Sequence, residues 1–212
     1  MRFIDERVEA SRNFANKLWN AARFILMNLK SDEITPLIAE DFALEDKWIL
    51  SKYNKLVGEV TDNLEKYELG MAVQKLYDFI WDVFCDWYIE LAKINMNNTT
   101  KSVLCRTLNQ ILKMLHPFMP YVTEEIYSLL PIKDAESIMI APYPIYQEEF
   151  TFSSATILDD VIKFIVKVRN VKQEHQIPKD AKVYFKGDNA DIILKLLKID
   201  TESLVEDNNL DG

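Results

Sequence analysis

Cysteine is scarce: Cys85 and Cys105 are the only two in 212 residues, and neither belongs to a Cys-x-x-Cys or Cys/His spacing. That excludes a disulfide framework and offers no zinc site, so both thiols are expected in or near a core. Histidine is as rare. His116 and His175 sit in no Glu-x-x-His pair, the arrangement a di-metal carboxylate bundle requires, which makes a metal-dependent bundle enzyme the weakest reading. No apolar run approaches the roughly 18 residues needed to span a bilayer, and the opening MRFIDERVEA has no signal-peptide core. The expectation is a cytoplasmic chain without membrane contact. A surplus of positive charge is also missing, and a net charge of −9 argues against indiscriminate affinity for nucleic acid, which comes from Lys and Arg. The distribution is less one-sided: residues 1–30 carry a local excess of three positive charges and residues 160–186 an excess of four. Two basic stretches in an acidic chain suit selective contact with RNA without requiring it.

What the sequence does contain is 49% hydrophobic residues, enough for one substantial core or two small ones. The organising stretch is RNFANKLWNAARFILMN, residues 12–28. Phe14, Leu18, Ala22, Ile25 and Leu29 recur at three- and four-residue steps as a core stripe, which Ala15, Trp19 and Leu26 widen. Arg12, Asn16, Asn20, Arg23 and Met27 recur at the same steps on a second face, with Asn13 and Lys17 beside them. Asn is a middling to poor helix former, so four of them (Asn13, Asn16, Asn20 and Asn28) in one helix need an offsetting use. Their donors and acceptors suit either an interhelical hydrogen-bond network or the reading of a polar partner.

A second helix is expected over 44–67, with Ile49, Tyr53, Leu56, Val60 and Leu64 inward and Asp46 in its first turn, where a carboxylate suits the helix dipole. Trp48, Lys52 and Lys55 fall off that stripe; Trp48 is either an edge-of-core residue or a platform on which an unpaired base stacks. A third helix over 69–94, the apolar centre of the bundle, places Val73, Leu76, Ile80, Val83, Trp87 and Leu91 inward, with Phe79, Phe84 and Tyr88 beside that stripe. Asp78, Asp82, Asp86 and Glu90 form an acidic ridge at four-residue steps, read as a solvated face or a partner for Arg12 and Lys17. Asn97–Thr100 supplies caps for a fourth helix ending at His116, with Arg106, Asn109, Gln110 and Lys113 outward. Pro117 and Pro120 make HPFMP a bend, where His116 packs. A further helix runs from Thr123 to Leu130, and SIMIAPYP is extended chain laid against the bundle. From about residue 150 the pattern becomes a short strand at 152–154, a helix over 156–176 with Val161, Ile165 and Val168 inward, a strand over KVYFK, and a last helix near 190–198. The acidic residues 200–212 are expected to fray. The fold class is therefore mainly α: an antiparallel helix bundle over 1–149, followed by a small α/β appendage over 150–212.

Three stretches carry a family resemblance. RNFANKLWNAARF is similar to the first helix, and FCDWYIELAK (84–93) to the third-helix motif, of the anticodon-binding domain of valine–tRNA ligase, a class I aminoacyl-tRNA synthetase. LHPFMPYVTEEIY (115–127) resembles a motif shared with the isoleucine, leucine and methionine enzymes. The resemblance implies a surface that docks the anticodon stem-loop of tRNA(Val), followed by a small α/β unit and then a coiled-coil arm. It implies a monomer and a catalytic module that uses ATP. Neither a HIGH-like nor a KMSKS-like stretch occurs in these residues, so the chain itself is expected to catalyse nothing and to hold no cofactor or metal, as a fragment of a ligase. Carried over to this chain, the RNA-contacting residues are Arg23 and Trp48 first, then Asn20, Asn28, Lys52, Arg106 and Asn109. Arg12, Asn13 and Lys17 are assigned to the side facing the catalytic module. The competing reading is a helical scaffold or protein-interaction module without RNA contact.

Overall fold

The computed structural model describes residues 5–29, 34–178 and 181–207. Two compact units divide the chain between Phe152 and Ser153. In the first, α1 (Asp5–Asn28) leads to α2 (Leu44–Glu65), then α3 (Leu69–Asp78), which runs without a break into a π-helical segment (Phe79–Tyr88) and α4 (Ile89–Ala92). Next come α5 (Asn98–Leu115) and α6 (Pro120–Leu129). Together they form the helix bundle expected from the hydrophobic periods.

The core stripe of α1 is as the spacing requires: Phe14, Leu18, Ala22 and Ile25 are buried, while Arg12, Asn16, Asn20, Arg23 and Met27 are all exposed. Trp19 departs from the stripe and is 39% exposed. Phe14 stacks on Tyr77 at 4.8 Å, Tyr77 stacks on Trp81 at 5.6 Å, and Lys17 Nζ lies 3.8 Å from the Trp81 ring centre. Lys17 also meets the Asp86 carboxylate at 2.7 Å, so one member of the acidic ridge serves α1 as expected. Arg12 pairs instead with Glu9 on its own helix.

Along the path 69–92 the expected stripe holds in part, with Leu76, Ile80 and Leu91 buried as the spacing requires. Ala72, Leu76, Ile80, Phe84, Tyr88 and Ala92 are buried, while Val73 is exposed and Val83 and Trp87 are half-buried. Within the π segment, whose i→i+5 bonds widen each turn, the buried line moves from the expected Val83 and Trp87 to Phe84 and Tyr88.

The most enclosed helix is α5, buried on nearly its whole circumference, rather than the third helix. Asn97 caps it by accepting from the Thr100 amide at 2.8 Å. Asp46, at the start of α2, joins three elements: Tyr88 Oη and Thr100 Oγ1 donate to its carboxylate at 2.8 and 3.1 Å, and the Ala43 amide donates at 3.4 Å. At the HPFMP bend His116 Nδ1 lies 2.8 Å from Thr123 Oγ1, and Pro120 takes the first position of α6, where no amide donor is needed. Tyr127 Oη then accepts from the amides of Asp134 and Ala135 at 3.0 and 2.9 Å, fixing the turn after α6. The returning segment is laid on α2: buried Asn54 donates to the Gln147 carbonyl at 2.7 Å and accepts from its amide at 2.8 Å, and Ser51 Oγ accepts from the Phe152 amide at 2.9 Å. Both thiols lie at least half inside the bundle, and burial pushes Cys105 up to about 11 and Cys85 up to about 12.

The second unit, taken by itself, contains α7 (Ala155–Glu174), β1 (Val183–Phe185), α8 (Ala190–Leu197) and β2 (Leu204–Glu206), with β1 and β2 paired in parallel, Val183 opposite Leu204. Val161 and Ile165 are buried along α7, and Arg169 donates to the Leu196 carbonyl at 2.6 Å, tying α7 to α8. The strand expected at 152–154 is absent; those residues end the first unit and turn into α7. Its place is taken by β2, inside the stretch expected to fray. Acidic composition hid that strand, but parallel pairing requires a crossover, which α8 supplies. Residues 208–212 of that stretch lie outside the described residues.

Candidate nucleic-acid interface

The outward face of α1 has no function inside the bundle. Asn13, Asn16 and Asn20 make no side-chain hydrogen bond among the described residues, and Asn28 donates only to the Phe24 carbonyl one turn back, at 2.8 Å. The alternative of an interhelical network is therefore not what the asparagines build. Of the α1 cations whose side chains are described, Lys17 is held between Trp81 and Asp86, and Arg12 meets Glu9. Arg23 is exposed and makes no ion pair or hydrogen bond among the described residues.

Trp19, Arg23 and Met27 follow one another at four-residue steps and so share one side of α1. With Leu26 of α1 and Ile126 and Leu129 of α6 they line a groove of about 230 Å³. Met27 and Leu129 are 75% and 51% exposed, so the groove presents apolar side chains and a part-exposed indole beside one unpaired guanidinium. Trp19 is the residue that sequence reasoning assigned to the core. The available signal was its four-residue spacing from Arg23.

The other candidates fall elsewhere. Trp48 is only 2% exposed, so its ring belongs to the core and offers no face to a base; of its two readings, the packing one holds. Lys52 is half-buried with Nζ 5.9 Å from the Trp48 ring centre. Arg106 and Asn109 come together in a larger cleft of about 620 Å³ bounded by α2, α5 and the returning segment. Asn109 is 4% exposed rather than outward, and donates to Asp134 Oδ2 at 3.1 Å. Lys113, also expected outward, is buried and ion-paired with the same carboxylate at 2.8 Å. The turn after α6, held by Tyr127, brings Asp134 over that side of α5. A long-range contact of this kind leaves no trace in helical periodicity.

The sequence matches the family described as "Anticodon-binding domain of tRNA ligase" over residues 46–186. Among curated proteins it is 47% identical to the valine–tRNA ligase of Clostridium acetobutylicum over 196 residues, covering 86% of this chain and 22% of that protein. It is 43% identical to the valine–tRNA ligase of Bacillus cereus over 197 residues, covering 86% and 22%. For the valine–tRNA ligase of Petrotoga mobilis the identity is 41% over 199 residues, covering 88% and 23%. The chain thus spans between a fifth and a quarter of the length of these relatives. Among solved structures, a LeuRS from Agrobacterium radiobacter, in a ternary complex with tRNA and LeuAMS, superposes with a TM-score of 0.56 at 19% identity, covering 72% of this chain and 18% of that one, which is a likeness of fold. The helix bundle and the matched stretch agree: the chain belongs to the family of anticodon-binding domains of tRNA ligases.

Proposed function

We propose that the first unit docks the anticodon stem-loop of tRNA(Val), and that the chain serves as the tRNA-binding part of a valine–tRNA ligase whose ATP-dependent attachment of valine occurs in a separate catalytic module. The observation that carries this reading is Arg23: an exposed guanidinium without an internal partner, beside a half-exposed indole, on a helix face where Asn13, Asn16 and Asn20 make no side-chain hydrogen bond among the described residues. Unpaired loop bases expose both hydrogen-bonding edges and π faces, and an arginine, an indole and amides are the groups that engage them. Lys52 stands apart on α2, and Asn20 and Asn28 belong to this surface in the proposal. Trp48 does not. The N-terminal half of the same face, with Arg12 and Asn13, is assigned to the catalytic module.

The test is titration of the chain with an anticodon stem-loop. Arg23→Ala is expected to weaken binding about tenfold, in the range of a lost charge-assisted contact, while circular dichroism is unchanged. Equal affinity of parent and variant overturns the site. The scaffold reading is favoured by one specific feature, the exposed acidic residues Asp78, Asp82 and Glu90, which would repel RNA at the π segment. It predicts no saturable binding by either protein.

A further inference from the structure

The π-helical segment is the rarest backbone in the fold, and one side chain spans its register. Residues five places apart sit about 140° apart around an α-helix, on different sides of it. In a π turn the i→i+5 bond brings them onto one side. Trp81 and Asp86 are five places apart, and Lys17 of α1 meets both: its Nζ lies 3.8 Å from the Trp81 ring centre and 2.7 Å from Asp86 Oδ1. The backbone keeps the same step beside them, where the Ile89 amide donates to the Phe84 carbonyl.

The contacts around Lys17 make α1 the support of this path. Phe14 stacks on Tyr77 and Tyr77 on Trp81, with ring planes 25° and 12° apart, so the stack starts on a ring of α1 and ends under an ammonium of α1. Farther along, Lys93 lies over Phe24 at 4.9 Å and pairs with Glu90. These contacts follow one order on both sides, so α1 runs parallel to residues 69–92, and Lys17 is the member that joins two residues within the π segment. Its side chain is 22% exposed, which strengthens its hold on ring and carboxylate relative to an open surface. The α register is open to this sequence as well. Val83 and Trp87 are apolar and half-buried, and a 3.6-residue period turns them inward in place of the buried Phe84 and Tyr88. That register carries Asp86 away from Trp81 and breaks the clasp.

We infer that Lys17 is a positioning residue. By keeping Trp81 and Asp86 on one side it locks Phe79–Tyr88 in the π register, and through that lock it sets the bearing of α1, whose outward face carries Asn16, Asn20 and Arg23. The lock is independent of the proposed function; its effect on RNA affinity rests on that reading.

The experiment uses the whole chain, with circular dichroism as the check on folding. Lys17→Met keeps the length and the apolar stem on Trp81 and removes the charge, whereas Lys17→Arg can stack on the ring and pair with the carboxylate. Lys17→Met is expected to speed hydrogen exchange of the amides at 84–89 about fivefold and to move the Trp81 indole N–H resonance, and Lys17→Arg to restore both. Exchange that Lys17→Met leaves unchanged, or that Lys17→Arg fails to restore, overturns the lock. Asp86→Asn, at an exposed position, is expected to speed the same amides and decides the lock if Lys17→Met does not fold. Titration with the anticodon stem-loop at two salt concentrations reads the bearing of α1. Lys17→Met is expected to weaken binding about threefold with the log–log salt slope unchanged, and Lys17→Arg to recover it. A slope lowered by about 0.7 makes Lys17 a phosphate contact and overturns its positioning role, as does an unchanged affinity. A parent chain that binds no stem-loop overturns the proposed function, and the exchange rates then decide the lock by themselves.

Discussion

Two residues that look alike in the sequence part company in the structure. Arg23 and Trp48 are both off-stripe residues near helix ends, and family resemblance gives both to RNA. Arg23 projects from the bundle with no internal partner, and Trp48 is enclosed. Their removal should accordingly separate stability from recognition. Trp48→Ala deletes a buried ring and is expected to cost on the order of 3–5 kcal/mol. Arg23→Ala should stay within about 0.5 kcal/mol of the parent, as for most surface changes. Urea midpoints measure both. A Trp48→Ala chain as stable as the parent contradicts the core assignment. Trp19 shows the converse lesson. It lies in an apolar pattern, which argued for burial, yet a helix side shared with Arg23 and Met27 carries it into the open groove.

At the scale of elements, Asp46 is the most consequential polar residue, because α2, the π segment and α5 all meet at its carboxylate. Burial raises its pKa above 3.8, against the opposing hydrogen bonds from Tyr88, Thr100 and Ala43. A raised carboxyl holds its proton more tightly in the folded chain than in the unfolded one. Its contribution to stability therefore grows as pH falls toward about 4 and is withdrawn as pH rises through the folded value. Asp46→Asn cannot ionise, so its stability relative to the parent should improve between about pH 4 and pH 7. Denaturant midpoints across that range decide it, and a constant difference contradicts the burial argument. Much of this level was legible in the sequence. Apolar periodicity located the long helices, Asp46 stood in a first turn, and Asn97 was a visible cap. What periodicity could not carry was the π segment, since hydrophobic steps do not distinguish i→i+4 from i→i+5 bonding. The cover laid by Asp134 over Asn109 and Lys113 was equally hidden, because its two sides lie about two dozen residues apart in sequence. β2 was masked by its acidic surroundings.

For the molecule as a whole, the acidic total and the local chemistry pull in opposite directions. A net charge of −9 disfavours RNA at long range, so any affinity has to come from a few short-range contacts. That is the regime in which discrimination between bases exceeds bulk attraction, and it fits a face of free asparagines around one arginine better than it fits a basic patch. Among the described cations of the basic stretch 160–186, Lys163 is paired with Asp160 and Arg169 with the Leu196 carbonyl, while Lys167, Lys182 and Lys186 are exposed. The proposed recognition surface is assigned to the first unit on Arg23 and the asparagines beside it, not on bulk positive charge. The most direct measurement is titration of the whole chain, at two salt concentrations, with the valine anticodon stem-loop and with one whose second and third anticodon bases are changed. The account predicts tighter binding of the valine loop at both salts, with a log–log salt slope corresponding to only a few phosphate contacts, each worth about 0.7. Equal affinity for the two loops, or binding that salt alone governs, would contradict base reading by this chain.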